Sequence, residues 1–173
     1  APGEIGELCV AATQVSPAYL DNDAANDQAK IRDGATIWHR MGDVGYIDQQ
    51  KRFWYCGRKA HRVATPEQVL YTIPVEAILN THPDVRRTAL VGVGAPPAQT
   101  PVVIYEAEDP APGNLPRLLR ELAAEHPMTR RIEHFLPHGP LPVDVRHNAK
   151  INREQLARWA TGQLPGQPTL EPR

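Results

Sequence analysis

Cysteine is scarce in this chain. Cys9 and Cys56 are the only two in 173 residues, and they fall on separate strand-like segments. That pattern suits reduced thiols better than a bridge or a metal pair. No apolar run approaches the length of a membrane span, and APGEIGELCV at the start lacks the basic flank and long apolar stretch of a signal peptide. A cytoplasmic protein is expected. Charge of one sign is missing too: the formal net charge is -1, so no electrostatic case arises for nucleic acid or an acidic membrane as partner. The seven histidines (39, 61, 82, 126, 134, 138 and 147) show no HxH spacing and there is no CxxC, which speaks against a metal site made by this chain. GxGxxG, GxxxxGK[ST] and GxSxG are absent as well, so a self-contained nucleotide or acyl-transfer site finds no support.

Proline, by contrast, is abundant at 18 residues, spread through loops and gathered in the tail GQLPGQPTLEPR, where a disordered segment over 162–173 is expected. There is no initiator Met, and strand-like sequence follows Ala1 almost at once. The chain therefore reads as part of a longer polypeptide.

GELCVAA (6–12) suits a buried strand, and residues 20–37 read as a polar loop or short helix. VGYID (44–48) and RFWYC (52–56) read as a hairpin closed by Gly57. After residue 60 the pattern changes. A short strand near HRVAT is followed by a helix with Pro74 in its first turn and Val75, Ile78 and Leu79 on one face. Strands are expected at TALVGV and VVIYEA. Asn114 should cap a helix with a Leu115, Leu118, Leu119, Leu122 stripe, and RIEHFL reads as a further strand. Asn152 and Gln155 resemble a capping box at the start of a last helix, with Ile151 and Leu156 as a staple. The order βαββαβ plus a C-terminal helix makes an α+β fold, with a domain boundary near residue 59.

Three residues could carry chemistry. Asp43, in MGDVGYID, could accept hydrogen bonds from a ribose diol, although spacing alone favours an Asp that satisfies turn amides. Arg58 could reach a ribose or phosphate, or pair with a surface acid. Lys150, in HNAKIN, stands on a loop just ahead of the last helix, where it could be inserted into a site or simply solvated.

Taken together, GEIGEL, W-H-R-MGDVGYID, FWYCGRK, VEAIL-x₂-HPDV-x₃-ALVGV and a final P-x₇-K-I-x-R resemble the carboxyl-terminal third of the adenylate-forming enzymes: acyl-CoA synthetases, peptide-synthetase adenylation domains and luciferases. The resemblance runs from residue 3 to about 160. It implies that 1–59 are the end of a large domain and 60–161 a mobile lid. By the same resemblance, Asp43 grips both ribose hydroxyls of ATP, Arg58 contacts the ribose or phosphate side, Lys59 and Ala60 form the hinge, and Lys150 serves adenylation. Mg²⁺ would accompany ATP at a site mainly in the upstream part, and the fragment alone would be inactive.

Departures from the family pattern refine this. Ala60 stands where the hinge aspartate or lysine is usual, Glu67 where a glycine lines the pantetheine tunnel, and Ala149 where a glycine precedes the lysine. The loop VATPEQVLYTIP and the string RHNAKI are similar to the β-lactone-forming branch of the family, in which the second nucleophile is the substrate's own β-hydroxyl. This implies a 2-alkyl-3-hydroxy fatty acid substrate, an upstream N-terminal domain of the same polypeptide, and other olefin-biosynthesis enzymes as partners. An acyl-CoA ligase or peptide-synthetase adenylation domain, and a non-catalytic lid-like binding module, are the alternatives.

Overall fold

The computed structural model describes residues 2–144 and 150–164. The chain forms two units, Ala1–Ala60 and His61–Arg173. The divide thus falls one residue later than the expected 59.

In the first unit one long strand is the spine. β1 (Gly6–Val10), β2 (Lys30–Asp33) and β4 (Phe53–Arg58) all pair antiparallel with β3 (Thr36–Ile47). A short α1 (Asp23–Ala29) precedes β2, capped by the Asn22 side chain, which accepts from the Ala25 amide at 3.0 Å. The β2–β3 hairpin replaces the loop expected for residues 30–37. Gly34, at φ +56°, turns the chain there as few other residues can. β1 is also less buried than its apolar run suggested, and Cys9 is only partly covered while Cys56 is buried; both are free thiols. Asp48 organises the β3–β4 turn. Its carboxylate accepts from the Arg52 amide (2.8 Å), Arg52 Nε (2.7 Å) and Trp54 Nε1 (2.8 Å).

The second unit is built on a three-stranded sheet. β7 (Val85–Val93) and β8 (Thr100–Ala107) pair antiparallel, and β8 and β9 (His134–Pro137) pair parallel. The short strands β5 (Val63–Ala64) and β6 (Val69–Leu70) pair only with each other. The expected first strand of the βαββαβ unit therefore stays out of the main sheet: it turns straight back on β6, and Gln99 satisfies its outer edge, donating its backbone amide to the Ala64 carbonyl (2.9 Å) and accepting from the Ala64 amide at Oε1 (3.0 Å). α2 (Thr72–Leu79) and α3 (Leu115–Ala124) supply the core on one face, where Val75, Leu79, Leu115 and Leu119 meet Leu90, Val103 and Tyr105. α4 (Arg153–Thr161) covers the other, with Leu156 and Ala160 packed among Ala89, Val91, Val102 and Ile104. Successive strand residues point to opposite faces. Both faces are covered, so the stretches ALVGV of β7 and VVIY of β8 read as unbroken apolar runs rather than alternating ones.

Capping matches expectation in part at α4, where the Asn152 amide goes to the Pro142 carbonyl and only half of the box is made, and not at α3. Asn152 Oδ1 accepts from the Gln155 amide at 3.0 Å, and Leu156 is buried with Ile151 packed on the same core. Asn114 stands at the N-cap of α3 but its side chain makes no cap bond; Pro116 in the first turn has no amide to be capped. Leu164 is 8% exposed within the α4 core, so residues 162–164 belong to the folded unit rather than to the expected tail. Residues 165–173 and Ala149 lie outside the described residues.

Candidate functional site

Asp43 sits in a break in the pairing of β3. Glu7 lies opposite Val44 and Cys9 opposite Arg40, so Leu8 alone faces Met41, Gly42 and Asp43. Two extra residues on one strand make a bulge that re-aims side chains. Gly42 permits it, with φ at +68°, a left-handed conformation that suits glycine. On the other side β4 brings Arg58 directly across from Asp43. Arg58 Nη1 donates to Asp43 Oδ1 at 2.8 Å and to the Met41 carbonyl at 2.9 Å. The guanidinium therefore braces the bulge as well as pairing with the acid. Asp43 is not sealed away, with its side chain 26% exposed and that of Arg58 51% exposed. Of the two alternatives for Arg58, the structure shows the pairing with an acid, and that acid is Asp43.

Lys59 is held within the first unit. Its ammonium lies 2.7 Å from Glu7 Oε2, the oxygen that also accepts from Arg40 Nε (3.0 Å) and Nη2 (2.6 Å). The Arg40 hydrogen bond is the main reason the Glu7 carboxyl titrates below its ordinary value; burial opposes it and Lys59 adds to it. A single 3₁₀ turn, Lys59–His61, contains the divide after Ala60. Glu7 and Arg40 escaped sequence reasoning because their meeting depends on β1 pairing with β3 across more than thirty residues.

Lys150 belongs to the second unit and is exposed. Its carbonyl accepts from the Asp144 amide at 2.9 Å, Ile151 bridges to Val143, and the Asn152 amide donates to the Pro142 carbonyl at 2.8 Å. Lys150 thus closes a narrow antiparallel clamp immediately before α4. An open depression of about 530 Å³ adjoins it, with His61, Asp144, Asn152 and Arg153 among its walls.

Beneath the clamp lies a buried ion pair that sequence reasoning missed. Arg153 Nη2 is 2.9 Å from Glu76 Oε2, and Arg153 Nη1 bonds both Glu76 Oε1 and the Leu90 carbonyl (3.1 Å). Glu76 Oε1 also accepts from the Leu90 amide at 2.8 Å. Burial pushes the Glu76 carboxyl above its ordinary value, against the pull of Arg153 and the Leu90 amide. The available signal was a lone Glu inside the apolar string TIPVEAIL, together with the Arg of K-I-x-R.

Glu67 stands in the β5–β6 turn. Thr65 Oγ1 accepts from the Glu67 (3.3 Å) and Gln68 (3.1 Å) amides, and the Thr65 amide donates to the Gln68 carbonyl at 2.9 Å. Neither Pro66 nor Glu67 has positive φ, so the turn does not need glycine. A hollow of about 330 Å³ beside it includes Gln99, Arg131 and His134. Among the described residues no group of three metal-ligating side chains occurs, and no helix is long and apolar enough to cross a membrane.

No family model matches the chain. Two curated relatives are similar to it over nearly its whole length, both named olefin beta-lactone synthetase. One, from Xanthomonas campestris pv. campestris, is 51% identical over 172 residues, taking in 94% of this chain and 31% of the relative. The other, from Stenotrophomonas maltophilia, is 48% identical over 174 residues, taking in 95% of this chain and again 31% of the relative. The chain thus spans about a third of the length of these relatives. The solved structure of the amide bond synthetase McbA from Marinactinospora thermotolerans matches 92% of this chain and 32% of that one, with a TM-score of 0.78 at 25% identity. The o-succinylbenzoate CoA synthetase MenE from Bacillus subtilis, in complex with its acyl-adenylate, matches 90% of this chain and 31% of that one, with a TM-score of 0.74 at 23% identity; this is a likeness of fold. The chain belongs with the adenylate-forming enzymes, and over nearly its whole length it is similar to about a third of two olefin beta-lactone synthetases.

Proposed function

We propose that the full polypeptide activates a 2-alkyl-3-hydroxy fatty acid with ATP and closes it to a β-lactone. In the first step a carboxylate oxygen attacks the α-phosphorus, and the bond to the β-phosphate breaks to release pyrophosphate. In the second, the substrate's own β-hydroxyl oxygen attacks the acyl carbon, its proton is lost, and AMP leaves. Holding nucleophile and acyl-adenylate in one molecule already supplies much of the entropy of the second step.

In this reading Asp43 receives the ribose hydroxyls. A carboxylate offers about four lone-pair sites, so it can accept from a diol and keep Arg58. Arg58 holds the acid in place and adds positive charge near the nucleotide. Lys150 brings an ammonium to the carboxylate and α-phosphate, where negative charge accumulates as the bond forms. Lys59 and Ala60 form the hinge that lets the lid carry it there. Mg²⁺ would be held by the phosphates of ATP and by the upstream domain of the same polypeptide. Phe53, Trp54 and Tyr55, each more than 40% exposed, offer that domain apolar surface to cover.

The relationship at about half identity to two olefin beta-lactone synthetases carries the reading. Glu67 supports it: a carboxylate in that turn adds bulk and a charge that would repel the phosphates of CoA. Incubating the full-length enzyme with ATP, Mg²⁺ and a 2-alkyl-3-hydroxy acid, without CoA, should give lactone and AMP. Turnover that requires CoA and yields a thioester would sink the proposal in favour of an acyl-CoA ligase.

A further inference from the structure

We infer that the buried Glu76–Arg153 pair is a positioning device for Lys150, and that it acts on adenylation rather than on lactone closure. The inference rests on the reading of Lys150 as the adenylation lysine. It begins from an oddity in α2. The helix buries Thr72, Val75, Glu76 and Leu79, so a carboxylate sits in the middle of its apolar face. The side chains of Glu76 and Arg153 are only 10% and 13% exposed. Taking two charges out of water is expensive, and a buried pair is often no more stabilising than apolar side chains of the same volume. Net stability is therefore a poor account of why the pair is there.

Its geometry offers a better one. The guanidinium grips both carboxylate oxygens and the Leu90 carbonyl, while the Leu90 amide donates to the same carboxylate. Three elements meet at that point: α2, β7 and the first residue of α4. Such a fork fixes direction as well as distance, which a point charge does not. Arg153 is three residues after Lys150, and each residue between is also held, by the Asp144 amide on the Lys150 carbonyl, the Val143–Ile151 bridge and the Asn152–Pro142 bond.

The opposite leg of the clamp has its own anchor. The Leu141 amide donates to Glu106 Oε2 at 3.1 Å, and Arg87 Nε donates to that oxygen at 2.7 Å. Two poorly exposed carboxylates thus secure the two legs of one clamp at its base, where Leu141 and Arg153 stand, three residue pairs from Lys150. The lysine side chain is long and loses much rotamer freedom when ordered. Its ammonium can be delivered reproducibly only if its Cα is fixed. Displacement of a reacting group by about 1 Å costs on the order of 10²-fold in rate.

The test uses the full-length enzyme and three sets of variants. Glu76→Met with Arg153→Met replaces the pair by apolar volume; Glu76→Gln is a milder change that keeps the side-chain shape; and each is repeated in a Lys150→Ala background. Adenylation is followed by ATP–pyrophosphate exchange, lactone closure from supplied acyl-adenylate, and folding by thermal melting. For the double replacement, adenylation kcat should fall about 10-fold or more, with the KM for ATP and the closure rate little changed. Glu76→Gln should show the same pattern more weakly, and it decides the matter if the double variant does not fold. In the Lys150→Ala background neither change should lower adenylation further. Unchanged adenylation in a folded variant, or an equal loss with and without Lys150, overturns the inference. Full activity of Lys150→Ala alone overturns instead the reading on which it rests.

Discussion

At the scale of single residues, the roles proposed for Asp43 and Lys150 make opposite demands on their surroundings. Asp43 needs a fixed position and has one, between a bulge that Gly42 permits and a guanidinium that also bonds the Met41 carbonyl. Removing it should leave the fold nearly intact, because a pair this exposed is worth about 0–1 kcal/mol. Asp43→Ala in the full-length enzyme should therefore raise the KM for ATP well above any change for the acid, with a melting temperature close to wild type. Equal losses for both substrates would indicate a structural role for Asp43. Lys150 needs a secure base and a free end. Lys150→Ala should lower adenylation about 10²–10³-fold, the usual cost of losing one donor aimed at developing charge. Single-turnover formation of acyl-adenylate measures it directly.

At the scale of elements, α4 carries most of the consequence. Its start is set by Asn152, its first residue is Arg153, whose partly buried side chain grips Glu76, and its apolar face covers one side of the β7–β8 sheet. The Asn152 cap satisfies an amide that would otherwise have no partner in the helix. Asn152→Ala should destabilise the second unit by about 1 kcal/mol, visible in chemical denaturation followed by Trp159, which packs edge-on to His138 with ring centroids 4.8 Å apart. A loss below about 0.3 kcal/mol would mean that the Arg153 anchor alone sets the helix start, since replacing such a cap by alanine rarely costs so little. The much shorter β5–β6 hairpin gains its order from Thr65, whose hydroxyl accepts two amides of the turn.

On the scale of the whole molecule, three glutamates contribute to the response to acid, together with Asp48, whose carboxyl the Trp54 hydrogen bond holds below its ordinary value. Glu7 titrates low, chiefly through the Arg40 hydrogen bond. For Glu106 burial pushes upward, but the Leu141 amide, Arg87 and Arg86 outweigh it and the carboxyl also titrates low. A carboxyl lowered in the folded state binds its proton more readily when unfolded. Its stabilisation is therefore complete above the ordinary glutamate value and is lost as pH falls from there through the folded value. Glu76, raised by burial, works in the opposite sense: protonation favours the folded state as pH falls through its raised value. Acid should consequently weaken the first unit, where Glu7 sits, without that compensation. In an acid titration, Glu7→Gln should flatten the fall in stability of this unit below the ordinary glutamate range, read by Trp38 and Trp54 fluorescence. An unaltered acid profile would show that Glu7 carries no linked stability.

Periodicity and turn chemistry settled much by themselves, because they depend on neighbours in the chain. The β3–β4 hairpin, α2 with Pro74 in its first turn, the α4 cap and the α+β class were all legible in this way. Asp43, Arg58 and Lys150 were singled out because each lies in a short string whose order and spacing match a family pattern, and their roles stay proposals. Other features belong to the tertiary structure alone. The β2–β3 hairpin, the private pairing of β5 with β6, and the burial of Leu164 depend on which distant surfaces are there to be covered. The Glu7–Arg40–Lys59 cluster and the Glu76–Arg153 pair join residues 33 to 77 positions apart. A lone charge in an apolar stripe looks like an error until its partner folds against it, because only burial makes the partner necessary.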